Sequence, residues 1–229
     1  DRNLQSYIYR ADKILALSEV LFSSPPTYID IGGGYFGKMD ESLKKQFNSV
    51  YEYHEYASAI ATRFSEFYKD IDEESKPTLI LEPGSALVAD TMQFVAKVLD
   101  VKNIRGKYIA MTTGSKFNIG LLSSTVNMPL TILSNKTDRP TFNSIDISGY
   151  TCIESDYLFK SYSGAVAEDD YLVFSNVGSY SVVFKPPFIL PNVPILEYVE
   201  EKRQYEVIKR QETVDDIFRT FDMKNEVMK

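Results

Sequence analysis

The sequence predicts an α/β unit over residues 1–91 followed by an all-β unit over residues 92–229. In the first part, helical patterns alternate with short apolar strands, and both strands end at loops rich in glycine or proline. From about residue 92, β-rich segments follow one another with turn residues between them. The fold class predicted from these observations is α/β plus all-β, with an antiparallel β-domain.

The α/β unit is predicted to begin with a helix over about residues 4–22, whose apolar residues recur at helical spacing: Leu4, Ile8, Ala11, Ile14, Leu15 and Leu17. The segment "SSPP" ends this helix, and "TYIDI" predicts a buried strand that runs into glycines. Residues 41–70 predict one long helix with Asp40 as its N-cap. The segment "KPTLILEPG" then predicts a second strand ending at a Pro-Gly turn, as in a parallel α/β unit.

The all-β unit is predicted from five segments: "MQFVAKVLDVKNI", "KYIAMTT", "TVNMPLTIL", "FNSIDISGYT" and "DYLVFSNVGSYSVVF". The last forty residues alternate between acidic and basic side chains, and "TVDDIFRTF" predicts a capped helix there.

Composition narrows the function classes. The 229 residues carry a net charge of −7, which argues against a nucleic-acid partner because phosphate binding needs clustered cations. Apolar runs are too short for a membrane span. One cysteine, Cys152, suits a reducing compartment such as the cytoplasm, and one cysteine with one histidine cannot form an ordinary zinc site. We therefore expect no metal, no nucleic acid and no membrane.

Both predicted α/β strands end in unusual residues. Gly32, Gly33 and Gly34 follow the first strand, and Glu82, Pro83 and Gly84 follow the second. Ligands bind at this end of parallel strands, so a glycine turn for an anion and a carboxylate for a cation could lie side by side. A phosphorylated pyridine has both charges. A sharp turn explains the glycines equally well, and "GGGYFG" lacks the dinucleotide-binding spacing.

Four ordered motifs, "DIGGGYFG", "LEPGSALVAD", "GYTCIESDYL" and "VFSNVGSYS", resemble those of the fold-type III pyridoxal-phosphate decarboxylases, which include ornithine, diaminopimelate and arginine decarboxylases. "KRQETVDDIF" is similar to the family's C-terminal region. The resemblance implies the C-terminal part of a TIM-type barrel followed by a β-domain, in an enzyme of polyamine or lysine biosynthesis.

The resemblance also implies roles for single residues. Gly32–Gly34 and Tyr180 would hold the phosphate of pyridoxal phosphate, and Glu82 would keep the pyridine nitrogen protonated. Cys152 would reach the site from the partner subunit of a homodimer with shared active sites, and Asp156 matches a family acid. Taken singly, each residue has a simpler explanation: a buried inert thiol, a ring at the core edge, or a solvated strand end.

Several positions depart from the family pattern. Gly84 is kept, but Ser85 stands where the family has an arginine that binds phosphate. Thr113 and Ile153 replace acids, and Glu154 carries a carboxylate one place late. We include Thr113, Glu154 and Asp156 as candidate substrate-binding residues. Since acids near this loop hold the substrate's distal ammonium in relatives acting on basic amino acids, we expect ornithine, lysine and arginine to react poorly and modified or carrier-linked amino acids to react better.

No lysine here stands in the context of the family's Schiff-base lysine, and the chain begins without methionine. We therefore expect the C-terminal portion of an amino-acid decarboxylase, inactive as an isolated fragment. The alternative is a non-catalytic homologue that acts as a binding or regulatory protein. The retained Glu82, Cys152 and Tyr180 favour the enzyme, whereas the changes at Ser85, Thr113 and Ile153 favour the alternative.

Overall fold

A computed structural model describes residues 2–120 and 125–221. It contains a two-stranded parallel sheet flanked by helices, a six-stranded sheet, and a separate two-stranded hairpin. The structure changes from helix-rich to strand-rich near residue 92. A division into two domains at that point stays a prediction.

The helices of the α/β unit begin at polar caps. Helix α1, Leu4–Leu21, starts at Asn3, whose Oδ1 accepts a hydrogen bond from the Ser6 N–H at 2.8 Å. The predicted helix over residues 41–70 is wrong as a single element, because it is two helices, α2 at Glu41–Lys44 and α3 at Tyr53–Phe67. The turn formers Asn48 and Ser49 lie in the break, and α3 starts at its own capping box.

The core of this unit lies between α1, α3 and strand β1, Tyr28–Gly33. Residues four apart form each buried face, and they are Tyr7, Ala11 and Leu15 on α1 and Tyr56, Ile60 and Phe64 on α3. Ile29 and Ile31 alternate inward from β1. Leu17 was expected on the apolar face, but it is 53% exposed, and Ser18 is buried instead.

Strand β2, Thr78–Glu82, pairs with β1 in parallel, starting with Tyr28 opposite Thr78. The two carboxyl ends therefore meet at one edge of the sheet. Ile80 and Leu81 of β2 are 37% and 44% exposed, so this strand is less buried than its apolar sequence suggests. Closure of these strands into a TIM-type barrel stays a prediction.

The six-stranded sheet has the order β5-β8-β3-β4-β6-β7. Its strands are β3 Phe94–Ile104, β4 Lys107–Thr112, β5 Leu130–Leu133, β6 Thr141–Ser148, β7 Tyr157–Ala165 and β8 Tyr171–Phe174. The antiparallel prediction is wrong for one pair, because β4 and β6 run parallel. The long connection through β5 lets β6 return in the direction of β4, which a tight hairpin could not do.

The C-terminal segment forms a hairpin of β9, Ile195–Val199, and β10, Gln204–Lys209. Neither this hairpin nor β7 is among the predicted strands, and β8 is shorter than its predicted segment. The capped helix is confirmed as α5, Val214–Phe218, where Thr213 and Asp216 form a capping box. A four-residue helix, α4, Ser85–Val88, follows β2.

Candidate functional site

Three loops converge at the carboxyl ends of β1 and β2. They are residues 32–39 after β1, residues 82–91 after β2, and residues 175–181 after β8, and we call them the three-loop site. Gly37 lies so close to the second loop that a Cβ placed on it would be 2.3 Å from the Ala86 carbonyl oxygen. Glycine at this position therefore permits direct contact between the first two loops.

The third loop belongs to the six-stranded sheet but is bound to both of the others. The Asn176 side-chain amide donates to the Lys38 carbonyl oxygen at 2.9 Å, and the Gly178 N–H donates to the Ala89 carbonyl oxygen at 2.9 Å. A Cβ on Gly178 would lie 1.9 Å from the Val88 carbonyl oxygen. Sequence positions about 140 residues apart are thereby held in one place.

The glycine triplet is required by its backbone. Gly32 and Gly34 have φ angles of +72° and +98°, which residues other than glycine adopt only with strain. Gly33 lies against β2, and a Cβ there would be 1.9 Å from the Glu82 carbonyl oxygen. The turn therefore needs glycine both for its φ angles and for its close approach to β2.

Glu82 stands beside this turn. Its Oε2 is 4.0 Å from the position that a Cβ on Gly32 would occupy, and its side chain is exposed at the end of β2. Gly84, two residues after Glu82, has a φ of +50°, and the half-buried Ser85 begins α4. The expected neighbourhood of a glycine turn and a carboxylate is thus present, while their contact with a cofactor stays a prediction.

Three side chains that the sequence analysis did not single out bind the carbonyl oxygens of the glycine turn. The Tyr7 hydroxyl donates to the Gly33 oxygen at 2.9 Å, and the Tyr35 hydroxyl donates to the Gly32 oxygen at 3.2 Å. Arg10 Nη1 donates to the oxygens of Ile31, at 2.9 Å, and of Gly33, at 3.2 Å. We call Tyr7, Arg10 and Tyr35 the carbonyl clamp.

The environment keeps the clamp hydroxyls protonated. Burial raises the pKa of Tyr7, against the opposing effect of the nearby Arg10 charge. Burial, with a further contribution from Tyr7, raises the pKa of Tyr35 to about 12. The two rings stack with their centroids 4.7 Å apart, and the Arg10 guanidinium lies 4.5 Å from the centre of the Tyr7 ring. Both hydroxyls are therefore hydrogen-bond donors throughout the physiological pH range.

Tyr180 lies on the third loop with a φ of +53° and 53% of its surface exposed. Its ring is in edge contact with Phe184, with centroids 6.3 Å apart. Because Gly178 is anchored to Ala89, the loop carries Tyr180 next to the segment that follows Glu82 and Ser85. Its predicted phosphate contact is untested by this geometry and stays a prediction.

The remaining predicted residues lie on the six-stranded sheet. Cys152 is exposed on the loop between β6 and β7, and Glu154 is exposed on the same loop. Asp156 is buried and is fully used within the chain, where it accepts from Ser115 and Lys116 through Oδ1 and from Thr151 through Oδ2.

Thr113 follows β4, and its hydroxyl oxygen accepts from the Lys97 N–H of β3 at 2.9 Å. The structure thus gives Asp156 and Thr113 intramolecular partners, and it leaves the Glu154 side chain at the surface. Substrate contacts of all three stay predictions.

The three-loop site fits the phosphorylated pyridine that the sequence suggested. The clamp binds carbonyl oxygens, so the N–H of the same planar trans peptide points to the opposite side, where an anion would bind. Glu82, beside the turn, is the carboxylate that a protonated ring nitrogen needs.

The described residues include no helix with the length and apolarity to cross a membrane. They also include no group of three or more His, Cys, Asp or Glu residues that could hold a metal ion.

Residues 3–89 match the family described as pyridoxal-dependent decarboxylase, pyridoxal binding domain. The chain is 26% identical, over 84% of its length, to the L-glutamyl-[BtrI acyl-carrier protein] decarboxylase of Niallia circulans, and it covers 45% of that protein. It is 25% identical, over 94% of its length, to the diaminopimelate decarboxylase of Haemophilus influenzae, and it covers 49% of that protein.

A solved structure shares the fold. Diaminopimelate decarboxylase from Helicobacter pylori, complexed with L-lysine, aligns with a TM-score of 0.72 at 19% identity, over 95% of this chain and 50% of that one. The chain therefore spans about half the length of the curated relatives it matches.

Proposed function

Because this chain belongs to the fold-type III pyridoxal-phosphate-dependent decarboxylases, with residues 3–89 matching their pyridoxal-binding domain, we propose that it takes part in decarboxylating an amino acid or amino-acid derivative. The observation that carries this proposal is the three-loop site, where the glycine turn, Glu82 and the Tyr180 loop meet. Pyridoxal phosphate is the cofactor of this domain.

When bound, pyridoxal phosphate supplies an electron sink for the electrons released as carbon dioxide leaves. The chain's own residues would hold and polarise it. Gly32–Gly34, Ser85 and Tyr180 would bind the phosphate through N–H and O–H donors. Glu82 would hold a proton on the ring nitrogen, which keeps the ring electron-poor.

Cys152 would supply the proton that replaces the lost carboxylate on the substrate carbon. Its exposed position on the β6–β7 loop supports delivery into the site of a second subunit in a homodimer. The lysine that anchors the cofactor would come from a part of the protein outside residues 1–229, since no lysine here matches its context. A non-catalytic binding or regulatory role is the alternative.

The substrate we propose is an amino acid whose distal end is modified or attached to a carrier. Ile153 is apolar and the Thr113 hydroxyl is bound to β3, so neither offers a charge to a distal ammonium, which is costly to bury without a partner. The likeness to an enzyme that decarboxylates glutamate on an acyl-carrier protein supports this class.

Steady-state carbon dioxide release from the longest natural form of the protein, with pyridoxal phosphate, tests both parts. We expect kcat/KM to be at least about tenfold higher for γ-linked glutamyl thioesters or amides than for free ornithine, lysine or arginine, because a lost charge partner costs about 1.4 kcal/mol or more.

A Glu82→Gln variant is the matched control, and it should release carbon dioxide far more slowly from every substrate. Ornithine or lysine as the best substrate would contradict the substrate class and direct attention to Glu154. Cofactor binding without carbon dioxide release from any acid of the panel would favour the non-catalytic alternative.

A further inference from the structure

We infer that Arg10 is a positioning residue that orients the glycine turn and supplies the positive charge opposite the cofactor phosphate. This inference rests on the proposed cofactor site but assigns a task to a residue on α1, outside the three loops. Arg10 is half-buried, and one of its nitrogens, Nη1, binds two carbonyl oxygens of the strand–turn segment, those of Ile31 and Gly33.

Arg10 acts first on the orientation of the peptide groups in the glycine turn. In a trans peptide the N–H points opposite to its C=O, so each carbonyl bond fixes the direction of the following residue's N–H. The Gly33 oxygen is bound by Tyr7 and Arg10, which directs the Gly34 N–H away from α1. The Gly32 oxygen is bound by Tyr35, which directs the Gly33 N–H away from the Tyr35 hydroxyl.

The peptide between Ile31 and Gly32 follows the same rule and shows its result directly. Arg10 binds the Ile31 oxygen at 2.9 Å, and the opposite Gly32 N–H donates to the Asp30 carboxylate at 2.8 Å. An N–H of this turn therefore meets an anionic oxygen on the side away from Arg10. Arg10 binds the Gly33 oxygen as well, so we expect the Gly34 N–H of that peptide to face a phosphate in the same way.

Arg10 also changes the net charge around the glycine turn. The three loops contain one cationic residue, Lys38, which lies 4.0 Å from Asp90, and their other acidic residue is Glu82. The loops by themselves would therefore repel a dianion. Arg10 adds a full charge whose partners are neutral, two carbonyl oxygens and the Tyr7 ring, and Nη1 lies 3.9 Å from the position of a Cβ on Gly32.

The two steps reinforce each other. A cation bound to a carbonyl oxygen polarises the whole peptide and strengthens the N–H at its other end as a donor. A half-buried charge is also screened less than a surface charge. Arg10 therefore favours the anion both through the peptides that it binds and through its own field.

The test compares binding of pyridoxine 5′-phosphate with binding of pyridoxine, by calorimetry on the longest natural form of the protein. These probes differ only in the phosphate, and neither has an aldehyde that could react with lysines. We expect Arg10→Gln to weaken the affinity for pyridoxine 5′-phosphate about tenfold or more, while the affinity for pyridoxine changes less than twofold. Arg10→Lys, which keeps the charge, should restore part of the phosphate preference.

Arg63→Gln is the matched control, because Arg63 belongs to the same unit but pairs with Asp12 on the surface, and it should leave both affinities unchanged. If Arg10→Gln does not fold, Tyr7→Phe removes only one hydroxyl donor to the Gly33 oxygen and should lower the phosphate preference a few-fold.

Equal weakening of both probes, or an unchanged phosphate preference, would overturn the role of Arg10. If the wild-type protein releases carbon dioxide and Arg10→Gln gives either of these results, the proposed function stands and only the inference is lost. Wild-type protein that binds neither probe would overturn both.

Discussion

At the scale of the residue, Lys185 has the least usual environment for its type. Its Nζ is buried and has no hydrogen-bond partner within residues 2–120 and 125–221. Burial lowers the pKa of Lys185 to about 8, although the nearby Glu212 charge acts in the opposite direction. The Glu212 carboxylate is already bound to Lys209 at 2.9 Å and to the Asn192 N–H at 3.1 Å.

Replacing Lys185 by methionine should therefore stabilise the chain below pH 8. The folded-state pKa is about 8 and the unfolded one about 10.5, so the unfolded chain binds more protons between these values. Wild-type stability should rise with pH across that window, and below it the full cost of the buried charge is present. We expect Lys185→Met to add about 1 kcal/mol at pH 7, since partial exposure screens the penalty.

Urea unfolding at pH 7 and pH 10.5 measures this effect, and the gain should shrink towards zero at the higher pH. Lys202→Met is the control, because Lys202 is exposed and paired with Glu206, so its removal should not stabilise the chain. A gain at pH 7 that persists unchanged at pH 10.5 would show that better packing, and not charge, is the cause.

Sequence reasoning placed Gly32–Gly34 and Glu82 together because both follow parallel strands, and the structure brings them side by side. It missed Tyr7, Arg10 and Tyr35. The bonds of Tyr7 and Arg10 to carbonyl oxygens join residues 21 to 26 positions apart and depend on how α1 packs against β1. The available signal was Tyr7 on the helical face of Ala11 and Leu15, a polar-tipped ring where a core residue is expected.

At the scale of the element, the loop between β6 and β7 is held by one side chain. The Asp156 carboxylate accepts hydrogen bonds from Ser115 and Lys116 after β4, and from Thr151 within the loop. A Cβ on Gly149 would lie 2.2 Å from Asp156 Oδ2, so glycine leaves room for this arrangement. The loop that carries Cys152 is thereby fixed to the neighbouring strand end.

Changing Asp156 to asparagine should weaken this connection. One carboxylate oxygen becomes an NH2 group that faces two donors, so buried hydrogen bonds are lost and not replaced. We expect a loss of about 2 kcal/mol in the free energy of unfolding, with faster hydrogen exchange in residues 149–156. Urea unfolding and exchange mass spectrometry are the measurements.

Asp215→Asn provides the comparison, because Asp215 is exposed in the first turn of α5 and should change stability by less than about 0.5 kcal/mol. Equal unfolding free energies for the two variants would contradict the role of Asp156.

Elements with strong local signals were predicted well. Helix α1 and the capped α5 lie where periodicity and caps put them. The break between α2 and α3 was missed because apolar residues continue through it, as Phe47 and Val50 pack on the core as well. The β9–β10 hairpin was missed because its residues alternate in charge and several apolar ones are exposed, among them Tyr205 and Val207.

At the scale of the whole molecule, Glu82 and Cys152 belong to different units, which permits a site shared between two subunits. Co-expression of Cys152→Ala with Glu82→Gln subunits tests this arrangement in the full-length protein. Each heterodimer would contain one site with both residues intact, so we expect roughly a quarter of wild-type turnover from a statistical mixture. Each variant alone should have little activity.

The control pairs Glu82→Gln with a Glu82→Gln/Cys152→Ala double variant, a mixture in which no composite site can be whole. Activity in this control mixture would show that Glu82 is not required. No activity in the test mixture would indicate that Glu82 and Cys152 act within one subunit.

The change of fold class near residue 92 was visible in the sequence because strand periodicity replaces helical periodicity at that point. The parallel pairing of β4 with β6 could not be predicted from the sequence, because pairing direction depends on the path of a distant connection and leaves no local pattern.

The third loop has a consequence for how this architecture can change over time. Asn176 and Gly178 come from the six-stranded sheet, yet their bonds end on Lys38 and Ala89 of the α/β unit. Both acceptors are main-chain carbonyl oxygens, so side chains at positions 38 and 89 can change without removing these bonds. A chimaera that exchanged one unit with a relative would keep Tyr180 in place wherever the relative's loops follow the same backbone path.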